Sequence, residues 1–159
     1  MADEAGPCRT AIKVPQTMKV SEIPFNEFLG IKQAPGESGT LLELHESSSF
    51  LNHVGTVHAC VQLSLAEASS GEFLMRALPE YESRAVAVLR RVEAKFRNPI
   101  RGKIFSRAVT TEAEVRQAAQ PLAGKGRAMI SVTIEIVDNS GVVGMAATFE
   151  WFARMLPVS

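Results

Sequence analysis

The stretch from Asn52 to Leu78 constrains the fold of this chain more than any other part of the sequence. A polar turn that contains Gly55 leads into a long segment whose apolar residues fall on every side of a helix. A helix that is apolar all round is buried on most of its sides, or it spans a membrane. Polar residues interrupt this segment too often for a membrane span: His58, Gln62, Ser64, Glu67, Ser69, Ser70 and Glu72. The stretch therefore predicts a long buried helix in a soluble protein.

Glu67 is the residue of this helix that most needs an explanation. An ionised carboxylate is rarely buried without a partner, because it loses its hydration when it leaves water. Either a neighbouring group satisfies the carboxylate, with Ser64, Ser70 and Arg90 as candidates, or Glu67 has a chemical task. Glu67 is therefore the first candidate for a functional residue.

Composition restricts the class of protein. The 159 residues are the usual length of one domain, and 46% hydrophobic residues, 21% charged residues and a formal net charge of zero give no case for binding nucleic acid. Cys8 and Cys60 fall in a loose N-terminus and in the buried helix, so we expect neither a disulfide nor a zinc site. Residues 1–10 contain no apolar signal segment, so the cytoplasm is the expected compartment, without a membrane partner.

Glycine and proline divide the first third of the chain. Residues 1–20 show no sustained periodicity and form a predicted loose arm, followed by a single domain over residues 21–159. Residues 21–30 predict a short amphipathic helix, with Ser21 as its cap. Its apolar face consists of three residues: Phe25, Phe28 and Leu29.

Alternating apolar and polar residues predict five strands: 40–45, 85–97, 103–110, 128–137 and 142–153. In the second of them, the apolar residues share one face: Val86, Val88, Val92, Ala94 and Phe96. Arg90 breaks this alternation, because it points to the apolar side. The strand is predicted to have one buried face and one solvated face.

Two further motifs complete the architecture. Thr111-Glu-Ala-Glu114 has the form of a capping box and predicts a second short helix, ended by Pro121 and Gly124. Short turns join the first pair and the last pair of the later strands, which indicates antiparallel pairing. An apolar sheet face of this length needs a cover, and the long helix is the only predicted element of sufficient size. The predicted fold is therefore α+β, with an antiparallel sheet wrapped around the long helix.

The spacing of polar residues around the helix start resembles that of the hotdog-fold superfamily. Asn52 precedes His58 by six positions, Gly55-Thr-Val-His58 forms the turn, and Glu67 follows His58 by nine positions. The sequence looks most like the branch of phenylacetic-acid-degradation-type and 4-hydroxybenzoyl-CoA-type thioesterases. The resemblance covers roughly residues 40–154, and Pro99 and Gly102 are similar to the family's strand-Pro-Gly continuation.

The chain departs from this pattern in two places. The family's His-Gly-Gly is His58-Ala-Cys60 here, so Ala59 keeps the backbone N–H but adds a Cβ beside it. Residues 85–91 contain no hydroxyl group, whereas many members carry a Ser or Thr early in this strand. The chain is therefore most similar to a less studied branch that has His-Ala in place of His-Gly.

The resemblance implies an acyl-CoA thioesterase that acts as a homodimer or homotetramer, without a cofactor or a metal. Glu67 would activate water or attack as a nucleophile, with the other catalytic positions at Asn52 and His58. Substrate-binding positions follow at the helix start: Gly55, Val57 and Ala59. The N–H groups of residues 55–59 would polarise the thioester carbonyl, since a helix start offers unpaired donors.

Other interpretations of these residues remain open. Asn52 is also typical of an ordinary turn, and His58 of local packing at a helix start. His53 precedes Glu67 by fourteen positions, similar to hotdog dehydratases or hydratases. Ala59 and Cys60 favour a protein that binds acyl-CoA without turnover, and Cys60 is not expected to be a nucleophile.

Basic residues cluster on the strands after the helix: Arg90, Arg91, Lys95, Arg97, Arg101, Lys103 and Arg107. They predict either a solvated sheet face or a surface that attracts the phosphates of CoA.

Overall fold

The computed structural model describes residues 19–35 and 39–157. Its helices are α1 (Pro24–Leu29), α2 (Ala59–Ala77), α3 (Glu112–Ala119) and α4 (Pro121–Lys125). Its strands are β1 (Lys32–Gln33), β2 (Leu42–Leu44), β3 (Ala85–Phe96), β4 (Ile104–Ala108), β5 (Arg127–Asp138) and β6 (Val143–Met155). Within the described residues, the six strands form one antiparallel sheet in the order β1-β2-β4-β5-β6-β3.

Helix α2 packs across one face of this sheet, as the sequence predicts. Its buried side includes Leu65, Ala66 and Phe73, and it contacts strands β2, β4, β5 and β6. It ends at Ala77, with Leu78 as its C-cap and Pro79 directly after it. The predicted α+β architecture is confirmed. No helix in residues 19–35 and 39–157 is both long and apolar enough to cross a membrane.

Strands β5 and β6 form the predicted hairpin at the centre of the sheet. Side chains of β5 alternate between buried and exposed, with Ile130, Val132 and Ile134 fully buried toward the helix. The turn is held by Asp138, whose Oδ1 accepts hydrogen bonds from the N–H groups of Ser140 (2.8 Å) and Val142 (3.0 Å). The alternation follows from the two-residue period of a strand with one buried face.

Strands β3 and β4 follow each other in sequence but are not neighbours, which corrects the expectation of a second hairpin. β3 pairs with β6, and β4 pairs with β5. Three inter-strand spacings are about 14 Å, and the eight steps from Phe96 to Ile104 reach about 26 Å when extended. The connection can therefore cross the end of the sheet, where Ile100 is buried.

The faces of β3 also differ from the prediction, because the strand contains a bulge. The register shifts between Leu89 and Arg91, and an extra residue reverses the alternation beyond it. Val88 pairs with Phe152 on the outer face of the sheet, whereas Val92 pairs with Phe149 on the face that carries α2. The residues predicted to share one apolar face therefore lie on opposite faces of the sheet before and after the bulge.

Arg90 stands at this bulge and lies on the outer face. Its guanidinium is 5.5 Å from the ring centroid of Phe152. It does not point with the apolar residues toward the helix, as the uninterrupted alternation predicted.

Helix α1 has its predicted ends but not its predicted buried face. Pro24 is its first residue and Gly30 ends it at φ +74°, while Ile23 rather than Ser21 is the cap. Of the predicted apolar face, Phe25 is 58% exposed and Phe28 is 80% exposed, and only Leu29 packs against the core. The face turned inward centres on Asn26, whose Nδ2 donates to the carbonyl of Val20 (2.9 Å).

Val20 is itself buried, and residues 1–18 of the predicted N-terminal arm lie outside the described residues.

The capping box of α3 is confirmed. The Glu114 N–H donates to Thr111 Oγ1 (3.3 Å), and the Thr111 N–H donates to the Glu114 carboxylate (2.7 Å). Pro121 does not end the helical region as predicted. It opens α4, because proline suits the first position of a helix, and Gly126 ends α4 at φ +68°.

Candidate functional site

The turn before α2 is built around the side chain of Asn52. Its Oδ1 accepts hydrogen bonds from the N–H groups of Val54 (3.0 Å) and Thr56 (3.1 Å), and its Nδ2 donates to Thr56 Oγ1 (2.8 Å). The backbone closes the same turn, because the Asn52 N–H donates to the Thr56 carbonyl (2.8 Å). The amide of Asn52 is thus committed to shaping residues 52–56.

Gly55 and Arg101 complete this turn. Gly55 has φ +71°, a conformation that favours glycine, and a Cβ there would stand 3.3 Å from Arg101 Nη1. The Arg101 guanidinium donates to the carbonyls of Gly55 and Val54. The turn is therefore stabilised by the side-chain amide of Asn52, which belongs to it, and by the guanidinium of Arg101, which does not.

His58 caps the first turn of α2. Its Nδ1 accepts a hydrogen bond from the Cys60 N–H (3.1 Å), so the proton of the neutral ring is on Nε2. The ring is exposed, which leaves the Nε2–H group at the surface beside the helix start. Cys60 is exposed as well, although the sequence placed it in a buried helix, because it faces outward in the first turn.

Four of the five backbone N–H groups at residues 55–59 are engaged within the chain. Their acceptors are the Asn52 carbonyl for Gly55, Asn52 Oδ1 for Thr56, the Ile100 carbonyl for Val57 and the Phe50 carbonyl for His58. The Ala59 N–H has no acceptor in the described part of the chain. It stands at the positive end of a 19-residue helix, so it is the donor that can stabilise a developing oxyanion.

The Glu67 side chain makes no hydrogen bond and no ion pair within the part of the chain that the structure describes. The three partners considered from the sequence are engaged elsewhere. Ser64 Oγ donates to the Cys60 carbonyl (2.8 Å), and Ser70 Oγ donates to the backbone carbonyl of Glu67 (2.7 Å). Arg90 lies over Phe152 on the other face of the sheet.

The position of Glu67 changes its acidity. The side chain is only partly accessible to solvent, and this burial raises the pKa of its carboxyl above the ordinary value. A second carboxylate of the same helix provides the contrast. Glu72 accepts hydrogen bonds from Arg76 Nε (2.8 Å) and Gln33 Nε2 (3.2 Å), which is the usual arrangement for a buried structural acid. Glu67, in contrast, is partly buried and has no such partner in the described residues.

The helix neighbours of Glu67 pack against strand β6. Residues three and four positions apart share a helix side, and Ser70 and Gly71 stand at these positions from Glu67. Both lie against Trp151 of β6, whose Nε1 donates to Ser70 Oγ (3.1 Å). Trp151 pairs with Leu89 of β3, the edge strand.

The outer edge of β3 has no strand beside it within residues 19–35 and 39–157. On the helix side of this strand, Val92 is 38% exposed and Phe96 is 49% exposed. Long exposed edges with apolar side chains are rare in isolated proteins, because they recruit another strand. The β3 edge therefore offers a partly apolar surface to which another strand can pair.

The Ala59 N–H and the Glu67 carboxyl group are far apart within one chain. Ala59 and Glu67 are separated by eight helical residues, which corresponds to about 12 Å along the helix axis. A catalytic base and an oxyanion donor must both lie near the same carbonyl group, within about 3 Å of the atoms they contact. One chain therefore does not bring its own Ala59 N–H and its own Glu67 to one substrate.

Known structures share this fold. A probable thioesterase of unknown function from Pseudomonas aeruginosa is 22% identical, with a TM-score of 0.69 over 86% of this chain and 91% of that one. A protein of unknown function from Chlorobaculum tepidum is 17% identical, with a TM-score of 0.72 over 84% and 88% of the two chains. A Bacillus halodurans protein, whose structure was determined with CoA, is 18% identical, with a TM-score of 0.52 over 70% and 69%.

These similarities confirm the predicted hotdog fold, whereas the predicted branch of the superfamily stays a prediction. No curated protein matches the sequence. The model of a family described as a domain of unknown function, DUF4442, matches residues 34–153.

Proposed function

The chain belongs to the DUF4442 family, and we propose that it hydrolyses acyl-CoA thioesters to a free acid and CoA. The observation that carries this proposal is Glu67, a partly buried carboxylate with a raised pKa and no partner in the described residues. A carboxylate with a raised pKa is a stronger base near neutral pH. The thioesterase-like hotdog fold and a CoA-bound protein of similar fold support the choice of substrate class.

Glu67 would act as a general base on water. It removes one proton as the water oxygen bonds to the thioester carbon, and the carbonyl electron pair moves onto oxygen. The Ala59 N–H donates to that oxygen. When the electron pair returns, the carbon–sulfur bond breaks, and the proton on Glu67 passes to the sulfur. A direct attack by Glu67, followed by hydrolysis of the anhydride, gives the same products.

The active unit would be a dimer. Since about 12 Å of helix separates Ala59 from Glu67 in one chain, the two groups acting on one substrate would come from two chains. Pairing of two β3 edges is the association that the exposed strand suggests. It would bring helix α2 of one chain toward the Glu67 side of α2 in the other. Such a dimer contains two equivalent sites.

The remaining predicted site residues would position these groups. Asn52 shapes the turn through its three amide hydrogen bonds, and His58 caps the helix while presenting Nε2–H to the substrate side. Gly55 and Val57 use their N–H groups inside the chain, so their contact with substrate would be through the surface of the turn.

A second candidate is binding of acyl-CoA without turnover. The Cβ of Ala59 stands beside its own N–H, which has no acceptor in the described residues, and this crowding favours a weak oxyanion site. The dehydratase alternative has less support, since His53 is exposed in the turn that precedes the helix.

Release of free CoA thiol from short, long and aromatic acyl-CoAs tests the proposal. Glu67→Gln keeps the shape of the side chain but cannot accept the proton, so turnover should fall by about 10²–10⁴-fold, the usual contribution of a general base. Glu72→Gln is the matched control, because the same substitution on the same helix alters a carboxylate that has structural partners.

Turnover that survives in Glu67→Gln, or that falls equally in Glu72→Gln, contradicts the assigned role. No release from any acyl-CoA, together with a raised melting temperature in its presence, supports the binding protein instead.

A further inference from the structure

The outer face of the sheet, opposite α2, carries an open cavity of about 370 Å³. Its polar lining residues are Arg91, Glu93, Lys95, Arg97, Thr133, Thr148 and Glu150. This volume is within the range of about 300–1,000 Å³ that is usual for small-molecule sites. We call it the outer-face cavity, and none of the groups proposed for thioester hydrolysis lies in it.

The charges in the outer-face cavity are unevenly paired. Arg91 has two carboxylates near it, Glu93 at 3.3 Å and Glu150 at 3.8 Å. Lys95 and Arg97 form no ion pair with any carboxylate in residues 19–35 and 39–157. The end of the cavity nearest the C-terminus of β3 is therefore cationic, and the other end is neutralised.

The floor of the cavity offers a hydroxyl donor. Thr133 Oγ1 and Thr148 Oγ1 are 2.9 Å apart, and one of them donates to the other. Each hydroxyl carries one hydrogen, so the accepting partner of this pair still has an O–H group to donate. A ligand with several acceptor oxygens and negative charge would use this donor together with Lys95 and Arg97, which have no carboxylate partner in the described residues.

The cationic end lies close in space to the start of α2. The Arg97 N–H donates to the Gly144 carbonyl (2.8 Å). Gly144 in turn lies against the side chain of Gln62, in the first turn of α2. A long, flexible ligand can thus have a charged end in the outer-face cavity and a reactive end near the helix start, on the other side of the strand end.

We propose that the outer-face cavity binds the phosphate-bearing end of the CoA ester, with Lys95 and Arg97 as the phosphate ligands and the Thr133–Thr148 pair as a further donor. This inference rests on the proposed thioester substrate. It adds that the phosphorylated end determines affinity, while the acyl and pantetheine part reaches the hydrolytic groups.

Hydrolysis of two substrates with the same acyl group tests the inference: the acyl-CoA and the acyl-pantetheine, which lacks the phosphates. Lys95→Ala and Arg97→Ala should each raise KM for the acyl-CoA about tenfold, the loss expected for one charge-assisted hydrogen bond, and leave kcat unchanged. Both variants should hydrolyse the acyl-pantetheine as the native chain does. Arg127→Ala is the control, because it removes an exposed arginine at the start of β5.

Equal losses on both substrates, or no loss on the acyl-CoA, overturn the inference. Calorimetric binding of CoA itself to the native chain and the variants separates it from the hydrolytic proposal. Binding that weakens in Lys95→Ala and Arg97→Ala supports the phosphate site even if no thioester is hydrolysed. Absence of CoA binding to the native chain, or binding unchanged in both variants, refutes the site. Inhibition by adenosine 3′,5′-bisphosphate that both substitutions relieve supports a phosphate site, and inhibition unchanged by them counts against it.

Discussion

Gly144 is the position where one added methyl group should disturb the chain most clearly. A Cβ built on Gly144 would stand 2.5 Å from Ile100 Cδ1, 2.8 Å from Ile100 Cγ1 and 2.8 Å from Gln62 Oε1. Real Cβ atoms do not approach other heavy atoms this closely, so something must move. Ile100 is 1% exposed and lies under the turn before α2, where its carbonyl accepts the Val57 N–H (3.0 Å).

Gly144→Ala should therefore destabilise the chain by about 1–3 kcal/mol, the usual cost of overpacking a close-packed core. For a chain of this length, each kcal/mol lowers Tm by about 2–4 °C. Because the displaced residue supports the helix start, hydrolysis should fall as well.

Urea denaturation at one protein concentration measures this effect, with two comparisons. Gly124→Ala is the matched control: Gly124 is inside α4 with nothing within 4 Å of an added Cβ, so the substitution should stabilise by about 0.5–1 kcal/mol. Ile100→Val removes the Cδ1 contact. It should cost about 0.5–1.5 kcal/mol in the native chain but clearly less in the Gly144→Ala chain.

Two results would refute this reasoning. One is a Gly144→Ala chain as stable as the native one, and the other is an Ile100→Val cost that is the same in both backgrounds.

Three further predictions concern Glu67, the cap of α3 and the edge of β3. Burial raises the pKa of Glu67 above the ordinary 4.5, so the native chain loses stability as pH rises from 4.5 through the raised value. Glu67→Gln should remove that loss. The free energies of unfolding of the native chain and of Glu67→Gln, measured with urea, should therefore diverge as pH rises, and a constant difference would contradict this. Thr111→Ala should cost about 1 kcal/mol, since the Glu114 N–H loses its acceptor, whereas Thr111→Ser should keep most of the stability. Val92→Lys should shift the chain from dimer to monomer in sedimentation, with the exposed Val109→Lys as control; an unchanged mass, or a monomeric native chain, excludes pairing through β3.

Part of the fold follows from short-range patterns. The end of α2 near Leu78, the capping box at Thr111 and the hairpin turn at Asp138 were predicted from the sequence. Each depends on interactions between residues that are close in sequence, such as a cap and its third following N–H group. Helix α1 shows where such patterns fail, because Phe25 and Phe28 were predicted to be buried and are exposed. Six residues are too few for periodicity to identify the buried side.

The faces and neighbours of β3 did not follow from such patterns. A bulge at Arg90 reverses the alternation, and the sequence marked this position only as a break in the pattern, not as an extra residue. The partner of β3 is β6, because the connection through Ile100 crosses the sheet end instead of turning back. Strand order depends on contacts between distant segments, so neighbouring positions in the sequence do not specify it.

Some features of the candidate site likewise follow from local sequence patterns, and others depend on contacts between distant segments. Apolar and polar spacing in the sequence was enough to predict that Glu67 lies on a mostly buried helix, and that a polar turn around Asn52 leads into this helix. The folded chain was needed to see that, within the described residues, Glu67 has no partner and the Ala59 N–H has no acceptor. The reason is physical: local spacing places a side chain on a helix, but hydrogen-bond partners such as the Ile100 carbonyl come from segments that only folding brings near.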